Sequence, residues 1–320
     1  MARPRAFLAR RFTPAVEAAI EQNYEVVRAG QDRGMSAEEI AGAARGAEVI
    51  FVSTAERVTA ATIAALAPAL RVIATLSAGH DHIDLDAARA SGVAVLTTPD
   101  VLSEACAEIG MMLILNAARR AHEADLLVRG DNWHGFAPTL LLGRGLVGKR
   151  LGILGMGRIG REVAARARAF GMAIHYHNRS RLAEEREAGA THHASPEALF
   201  AHSDVLCLCA PGGTALERVV DARRIALLPA GAIVVNLARG EMIDDDALIA
   251  ALGSGHVFAA GLDVFAGEPA IHPGYRGLAN VFLSPHIGSA TIETRDAMGM
   301  LLVDGLDALA RGETPSNQLC

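Results

Sequence analysis

The chain has 320 residues, 51% of them hydrophobic and 21% charged, with 32 glycines and a formal net charge of −6. That length accommodates two domains with separate cores, and the hydrophobic share excludes a disordered chain. With no basic block, bulk electrostatics would not draw the protein onto nucleic acid or an anionic membrane. The apolar patch after Met1-Ala2-Arg3-Pro4-Arg5 is short and runs into Arg10-Arg11, and no apolar span reaches membrane length. The expected location is the cytoplasm, with no membrane and no nucleic-acid partner. In chain order, Ala6-Phe7-Leu8 predicts a strand, and Thr13-Pro14 ahead of Val16 and Ile20 predicts a capped helix start. Further strands are expected at 48–52, 71–75 and 93–96, with helical stretches between several of them. Connections that carry helices make parallel pairing the expectation.

Residues 101–121 are mostly apolar but broken by Glu104, Glu108 and Asn116, which fits a buried connecting helix between domains. After the polar segment Gly130-Asp131-Asn132-Trp133, a second α/β series opens at Leu151-Gly152-Ile153-Leu154. Strands are expected at 172–177, 204–209, 232–237, 257–264 and 281–284, and a last helix at 293–311 that packs back onto the first domain. Cys106, Cys207, Cys209 and Cys320 show neither a disulfide framework nor metal-ligand spacing. Cys207 and Cys209 alternate within an apolar run, so a strand places both on one face as core thiols. No metal is expected.

The motif Gly155-Met156-Gly157-Arg158-Ile159-Gly160 follows an apolar strand and precedes a helical pattern. In that context Gly155 permits a tight turn, Gly157 a close approach of pyrophosphate, and Gly160 close helix–strand packing. Amides at the helix start would cradle the phosphates, with Arg158 adding a charge-assisted contact. The next strand ends in His175-Tyr176-His177-Asn178-Arg179-Ser180-Arg181, with no Asp or Glu to pair with a ribose and repel a 2′-phosphate. Arg179 and Ser180 could bind that phosphate and Asn178 could supply a further hydrogen bond, so NADP(H) is the expected cofactor and NAD(H) the weaker one. Arg181 could face either phosphate or solvent.

Arg239, Glu268 and His286 each follow an apolar run, and so fall at carboxyl-terminal strand edges, where open parallel sheets place their ligands. Singly, each has a structural explanation as a surface pair, a turn residue or a satisfied histidine. Together beside a nicotinamide site they suit hydride transfer. A protonated His286 would donate to the carbonyl oxygen of a ketone, Glu268 would orient the imidazole and stabilise its charged form, and Arg239 would bind an adjacent carboxylate. A small 2-oxoacid offers both groups at once.

These motifs, with Gly79-His80-Asp81-His82-Ile83-Asp84, Asn236-Leu237-Ala238-Arg239-Gly240, Gly261-Leu262-Asp263-Val264-Phe265, Gly267-Glu268-Pro269 and Pro285-His286-Ile287-Gly288, give the chain its resemblance. It resembles the D-isomer-specific 2-hydroxyacid dehydrogenase family, especially the glyoxylate/hydroxypyruvate reductase branch, over nearly its whole length. The resemblance implies an α/β fold of two doubly wound parallel-sheet domains, a Rossmann cofactor domain at 99–288 inserted into a flavodoxin-like substrate domain at 1–98 and 289–320. A cleft at the hinge is implied with it. It also implies Arg239 as the substrate-binding residue, Glu268 as the partner of His286, and His286 as acid/base. Asp263 would lie near the nicotinamide amide, and Leu76-Ser77-Ala78-Gly79 would offer backbone amides to the substrate carboxylate. Members are commonly homodimers, here through a segment at about 101–145 that includes Trp133 and Phe136. Phe136 stands where relatives often carry a second Trp, and Cys106 where they carry Thr. The resulting expectation is NADPH-dependent reduction of glyoxylate and hydroxypyruvate. A broader 2-ketoacid reductase and a non-catalytic, nucleotide-sensing corepressor-like protein are the alternatives.

Overall fold

A computed structural model describes residues 3–320. The chain divides into two compact units, one running to Leu102 and taking in Ser289–Cys320, the other formed by Ser103–Gly288. Each is built on a wholly parallel sheet flanked by helices.

The first unit contains β1 (Arg5–Leu8), β2 (Glu25–Arg28), β3 (Val49–Val52), β4 (Val72–Thr75) and β5 (Ala94–Leu96), in the order β2-β1-β3-β4-β5. This is the flavodoxin-like order, with its reversal between β1 and β3. Every residue of β3 and β4 is buried, as parallel strands covered on both faces require. Sequence did not predict β2. It is an edge strand with charged residues at both ends and no fully buried position, so its two valines carry a weak signal. Helix Pro14–Asn23 starts with Thr13 at the N-cap and Pro14 inside it, although the Thr13 side chain makes no cap bond. Helix Ile292–Ala310 packs on it so closely that a Cβ on Gly299 would sit 2.3 Å from Val16 Cγ2.

The second unit contains β6 (Arg150–Leu154), β7 (Ala173–His177), β8 (Thr191–His192), β9 (Val205–Leu208), β10 (Ala232–Asn236), β11 (Val257–Leu262) and β12 (Val281–Leu283). Their order is β12-β11-β10-β9-β6-β7-β8. Alternation along the strands divides the core into two layers. Leu206 and Leu208 join Val234 and Leu262 on one face, while Val205 and Cys207 join Ile233, Val235 and Ala259 on the other. Helix Ser103–Arg119 covers that second face, burying Leu113 and Ile114. A Cβ on Gly261 of β11 would come within 2.8 Å of the Leu113 carbonyl oxygen. Cys207 is buried and Cys209 half-buried, with their sulfurs 3.6 Å apart on a shared face. Strand order reverses between β6 and β9, so the crevice beyond their carboxyl ends is the place for a ligand. Among the described residues, no helix is long and apolar enough to cross a membrane.

Candidate active site

The glycine loop occupies that reversal point. Gly155 follows β6 with φ +96°, and a Cβ there would lie 2.4 Å from the backbone of Ala210, just beyond β9. Only glycine meets both demands. Gly160 presses the start of helix Arg158–Ala169 onto the strand, since its Cβ would fall 2.4 Å from the Gly155 carbonyl oxygen. Gly157 differs from both: a Cβ there would meet nothing within 4 Å. It is the N-cap of that helix and supplies no side-chain acceptor, whereas Ser36, Asp84, Ser195, Asp244 and Thr291 cap their helices with side-chain oxygens. Helix-start amides without a side-chain cap suit a phosphate anion. Arg158 is exposed at the first helical position, and Ile159 packs partly into the core. The loop therefore fits a dinucleotide pyrophosphate.

Past β7, Asn178 Oδ1 accepts the Met156 N–H at 2.7 Å and so braces the glycine loop. Its expected cofactor contact would rest on the amide nitrogen. Arg179 and Ser180 are exposed at the bend that follows. Arg181, which the sequence left between phosphate and solvent, forks onto Glu187 with bonds of 2.8 and 2.9 Å.

Three neighbouring strands deliver the ionisable residues. After β10, buried Asn236 ties the turn, its Nδ2 donating to the Arg239 carbonyl at 2.9 Å and its Oδ1 accepting the Ala238 N–H at 2.9 Å. Gly240 then meets the turn beyond β11 backbone to backbone; a Cβ on it would lie 1.8 Å from the Phe265 carbonyl carbon. That contact fixes the Arg239 turn against the turn that bears Glu268. Glu268 Oε1 accepts the Phe265 N–H at 2.8 Å, and its Oε2 lies 2.8 Å from His286 Nδ1 beyond β12. Burial alone would raise the Glu268 pKa. The hydrogen bond and charge of His286 oppose it, and with the Phe265 N–H and the Arg239 charge they bring it below the ordinary value. Glu268 is thus an anion, and His286 Nδ1–H donates to it, which leaves Nε2 as the ring nitrogen that can exchange a proton with a ligand.

His286 has φ +55°, a strained conformation for a non-glycine residue, costing about 1–3 kcal/mol. Asp263 holds it there. Its carbonyl accepts the His286 N–H at 2.8 Å, and its Oδ1 accepts both the Ile287 N–H at 2.9 Å and the Ser284 hydroxyl at 2.6 Å. A Cβ on Gly288 would sit 3.4 Å from Asp263 Oδ2 and 3.2 Å from Cys106 Sγ, so the three residues share one small space.

Leu76–Gly79 belong to the other unit, just past β4. The Leu76 and Ser77 amides bond to the Val52 and Thr75 carbonyls at 2.9 and 2.8 Å, which reduces the expected four-residue amide cradle to Ala78 and Gly79. Ser77 Oγ donates to the Gly79 carbonyl at 2.7 Å, and Thr75 Oγ1 lies 2.8 Å from Ser77 Oγ and 2.9 Å from His82 Nε2. Trp133 donates from Nε1 to the Gly135 carbonyl at 2.9 Å, and Phe136 is 90% exposed. Sequence reasoning missed Asn236, Gly240 and Ser284 as separate contributors. Only the polar-and-glycine punctuation around Arg239 hinted at the first two.

The family model for the D-isomer specific 2-hydroxyacid dehydrogenase, NAD binding domain, matches residues 111–288. A glycerate dehydrogenase of Hyphomicrobium methylovorum is 39% identical over 96% of this chain and 97% of that protein. A solved structure from Polaromonas, assigned to the same family, superposes with a TM-score of 0.96 at 56% identity, covering 99% of this chain and 100% of that one. The NADPH-dependent glyoxylate/hydroxypyruvate reductase of Sinorhizobium meliloti, solved with NADP and malonate, has a TM-score of 0.89 at 32% identity, covering 100% of this chain and 97% of that one.

Proposed function

Because the chain belongs to the D-isomer-specific 2-hydroxyacid dehydrogenase family, we propose that it reduces glyoxylate and hydroxypyruvate to glycolate and D-glycerate with NADPH. The observation that carries the chemistry is the His286–Glu268 contact of 2.8 Å, with Gly240 locking the turn that bears Glu268 to the one that bears Arg239. When bound, reduced nicotinamide would supply hydride to the substrate carbonyl carbon. His286 gives the carbonyl oxygen a proton from Nε2, Glu268 holds the imidazolium through Nδ1, and Arg239 binds the carboxylate and polarises the oxygen. Hydride and proton together convert the 2-oxoacid to the 2-hydroxyacid; the reverse reaction uses neutral His286 as base. Asp263 would hold the nicotinamide amide, and Ala78 and Gly79 would offer their amides to the substrate carboxylate.

The unit containing Leu76–Gly79 is accordingly the substrate domain and Ser103–Gly288 the cofactor domain. NADPH over NADH rests on the exposed Arg179-Ser180 pair and on the absence of any acid between β7 and Glu184. The Sinorhizobium reductase, solved with NADP, supports that choice. Two copies of the chain pair through the exposed segment after helix Ser103–Arg119. A broader 2-ketoacid reductase differs only in pocket volume, and a non-catalytic sensor would have no use for the His286–Glu268 pair. A matrix of kcat/KM for NADPH and NADH against glyoxylate, hydroxypyruvate, pyruvate and phenylpyruvate decides among them. We expect the first two oxoacids with NADPH to lead. Leadership by phenylpyruvate, or by NADH, would overturn the substrate or the cofactor assignment respectively.

A further inference from the structure

We infer that Glu187 is a positioning residue for cofactor choice: through Arg181 and Tyr176 it presets the bend that presents Arg179 and Ser180 to the ribose phosphate of NADPH. This rests on the NADPH reading above and adds a residue remote from the phosphate itself.

The bend is anchored at both ends. On one side Asn178 Oδ1 accepts the Met156 N–H at 2.7 Å, tying the bend to the glycine loop. On the other, Arg181 Nε and Nη2 grip the two Glu187 oxygens at 2.8 and 2.9 Å. The Leu182 N–H donates to Tyr176 Oη at 3.0 Å, and that hydroxyl donates to Glu187 Oε1 at 2.5 Å. Arg168 adds a bond of 3.1 Å to the Glu187 carbonyl, joining helix Arg158–Ala169 to the same point. Between the anchors only two residues remain, Arg179 and Ser180, both exposed.

Glu187 is 4% exposed and Tyr176 fully buried, so this carboxylate is a costly group to place here. An ordinary surface ion pair contributes little. A bidentate fork on a buried carboxylate fixes orientation as well as distance, because the Nε/Nη2 edge of the guanidinium meets both carboxylate oxygens. Its consequence for the cofactor is twofold. Arg181 is withdrawn from the phosphate, which leaves Arg179 as the guanidinium that meets it. The backbone on either side of Arg179 is also already ordered, so phosphate binding loses less conformational freedom.

The test is direct binding of NADPH and NADH to the full-length protein, followed by the fluorescence of the reduced nicotinamide, in Arg181→Met, Arg181→Lys, Glu187→Gln, Tyr176→Phe, Arg179→Ala and the Arg179→Ala/Arg181→Met double variant. Arg181→Met and Glu187→Gln should raise the NADPH Kd about five- to tenfold and the NADH Kd less than about twofold. Arg181→Lys, which keeps the charge and loses the fork, and Tyr176→Phe, which loses one bond, should shift the ratio in the same direction by less. In the double variant the second change should add nothing, because Glu187 acts through Arg179. Equal weakening of both cofactors in Arg181→Met would reduce the triad to general structure and overturn the inference. A ratio that changes in Arg179→Ala but in none of the triad variants overturns the positioning role alone. A ratio unchanged in Arg179→Ala removes the NADPH reading and this inference with it.

Discussion

At the scale of single residues, chemistry depends on which nitrogen of His286 is committed. Nδ1 is held by Glu268, so the proposed proton transfer falls to Nε2, on a residue whose backbone is held at φ +55°. Replacing His286 with Ala should lower kcat about 10²- to 10⁴-fold and leave the NADPH Kd within about twofold; stopped-flow turnover beside equilibrium binding checks both, and a kcat near that of the parent would remove His286 from the reaction. The proposed reduction takes a proton from His286, and the reverse oxidation returns it there. Glu268, held below its ordinary pKa, stays charged through the neutral range and adds no break of its own there. Glu268→Gln keeps an acceptor but loses the charge that faces Nδ1, so kcat should fall while the NADPH Kd stays near that of the parent. The positions of Arg239, Glu268 and His286 were legible because each ends an apolar run. The backbone contact of Gly240 with Phe265 was not, since it joins turns separated by a whole helix and strand. Nor was the pairing of Arg181 with Glu187, which depends on a turn closing between them.

At the scale of elements, the expected strands were legible to within a residue or two at each end, and two edge strands, β2 and β8, were missed. Two-residue β8 shows no periodicity, and half-exposed β2 lacks a buried face. The helix Ala121–Arg129 poses a different question, because none of its residues is buried. Leu126, Val128, Trp133, Phe136, Leu142 and Val147 are between 54% and 90% exposed. So much apolar surface in one stretch of chain fits the proposed pairing of two copies. We expect sedimentation equilibrium at micromolar concentration to return twice the 33.5 kDa chain mass. Phe136→Asp should cost an isolated chain almost nothing, since the side chain is 90% exposed, yet it would bury a charge in the pair and weaken it about 10²-fold or more. A parent protein that sediments as a single chain would refute pairing.

At the scale of the molecule, stability responds to pH through a feature that catalysis does not use. Five histidines crowd one edge of the seven-stranded sheet. His175 Nδ1 and His193 Nε2 are 2.9 Å apart and share one proton, and the His202 ring lies 4.9 Å from that of His193. His192 packs between Tyr176 and His177, whose Nδ1–H donates to the His193 carbonyl at 2.8 Å. Among the described residues no group of three or more His, Cys, Asp or Glu is placed to hold a metal ion. Burial, then the charges of His175, His202, His192 and His177, push the His193 pKa down to about 4. His175 is lowered too, by burial first and then by His202 and Arg150, with Asp204 opposing. A histidine depressed in the folded state binds its proton more readily when unfolded. Its contribution is therefore complete above the unfolded value of 6.5 and is lost as pH falls from there to about 4. The Tm should drop by several degrees across that window, and His193→Gln, which cannot charge, should flatten the decline while leaving Tm near pH 7.5 within a few degrees. Glu187 keeps its charge across the same window, because Arg181 and then Tyr176 hold its pKa at about 2. Thermal melts of parent and His193→Gln at half-unit pH steps provide the comparison, and parallel declines in the two proteins would trace the acid sensitivity to another part of the fold.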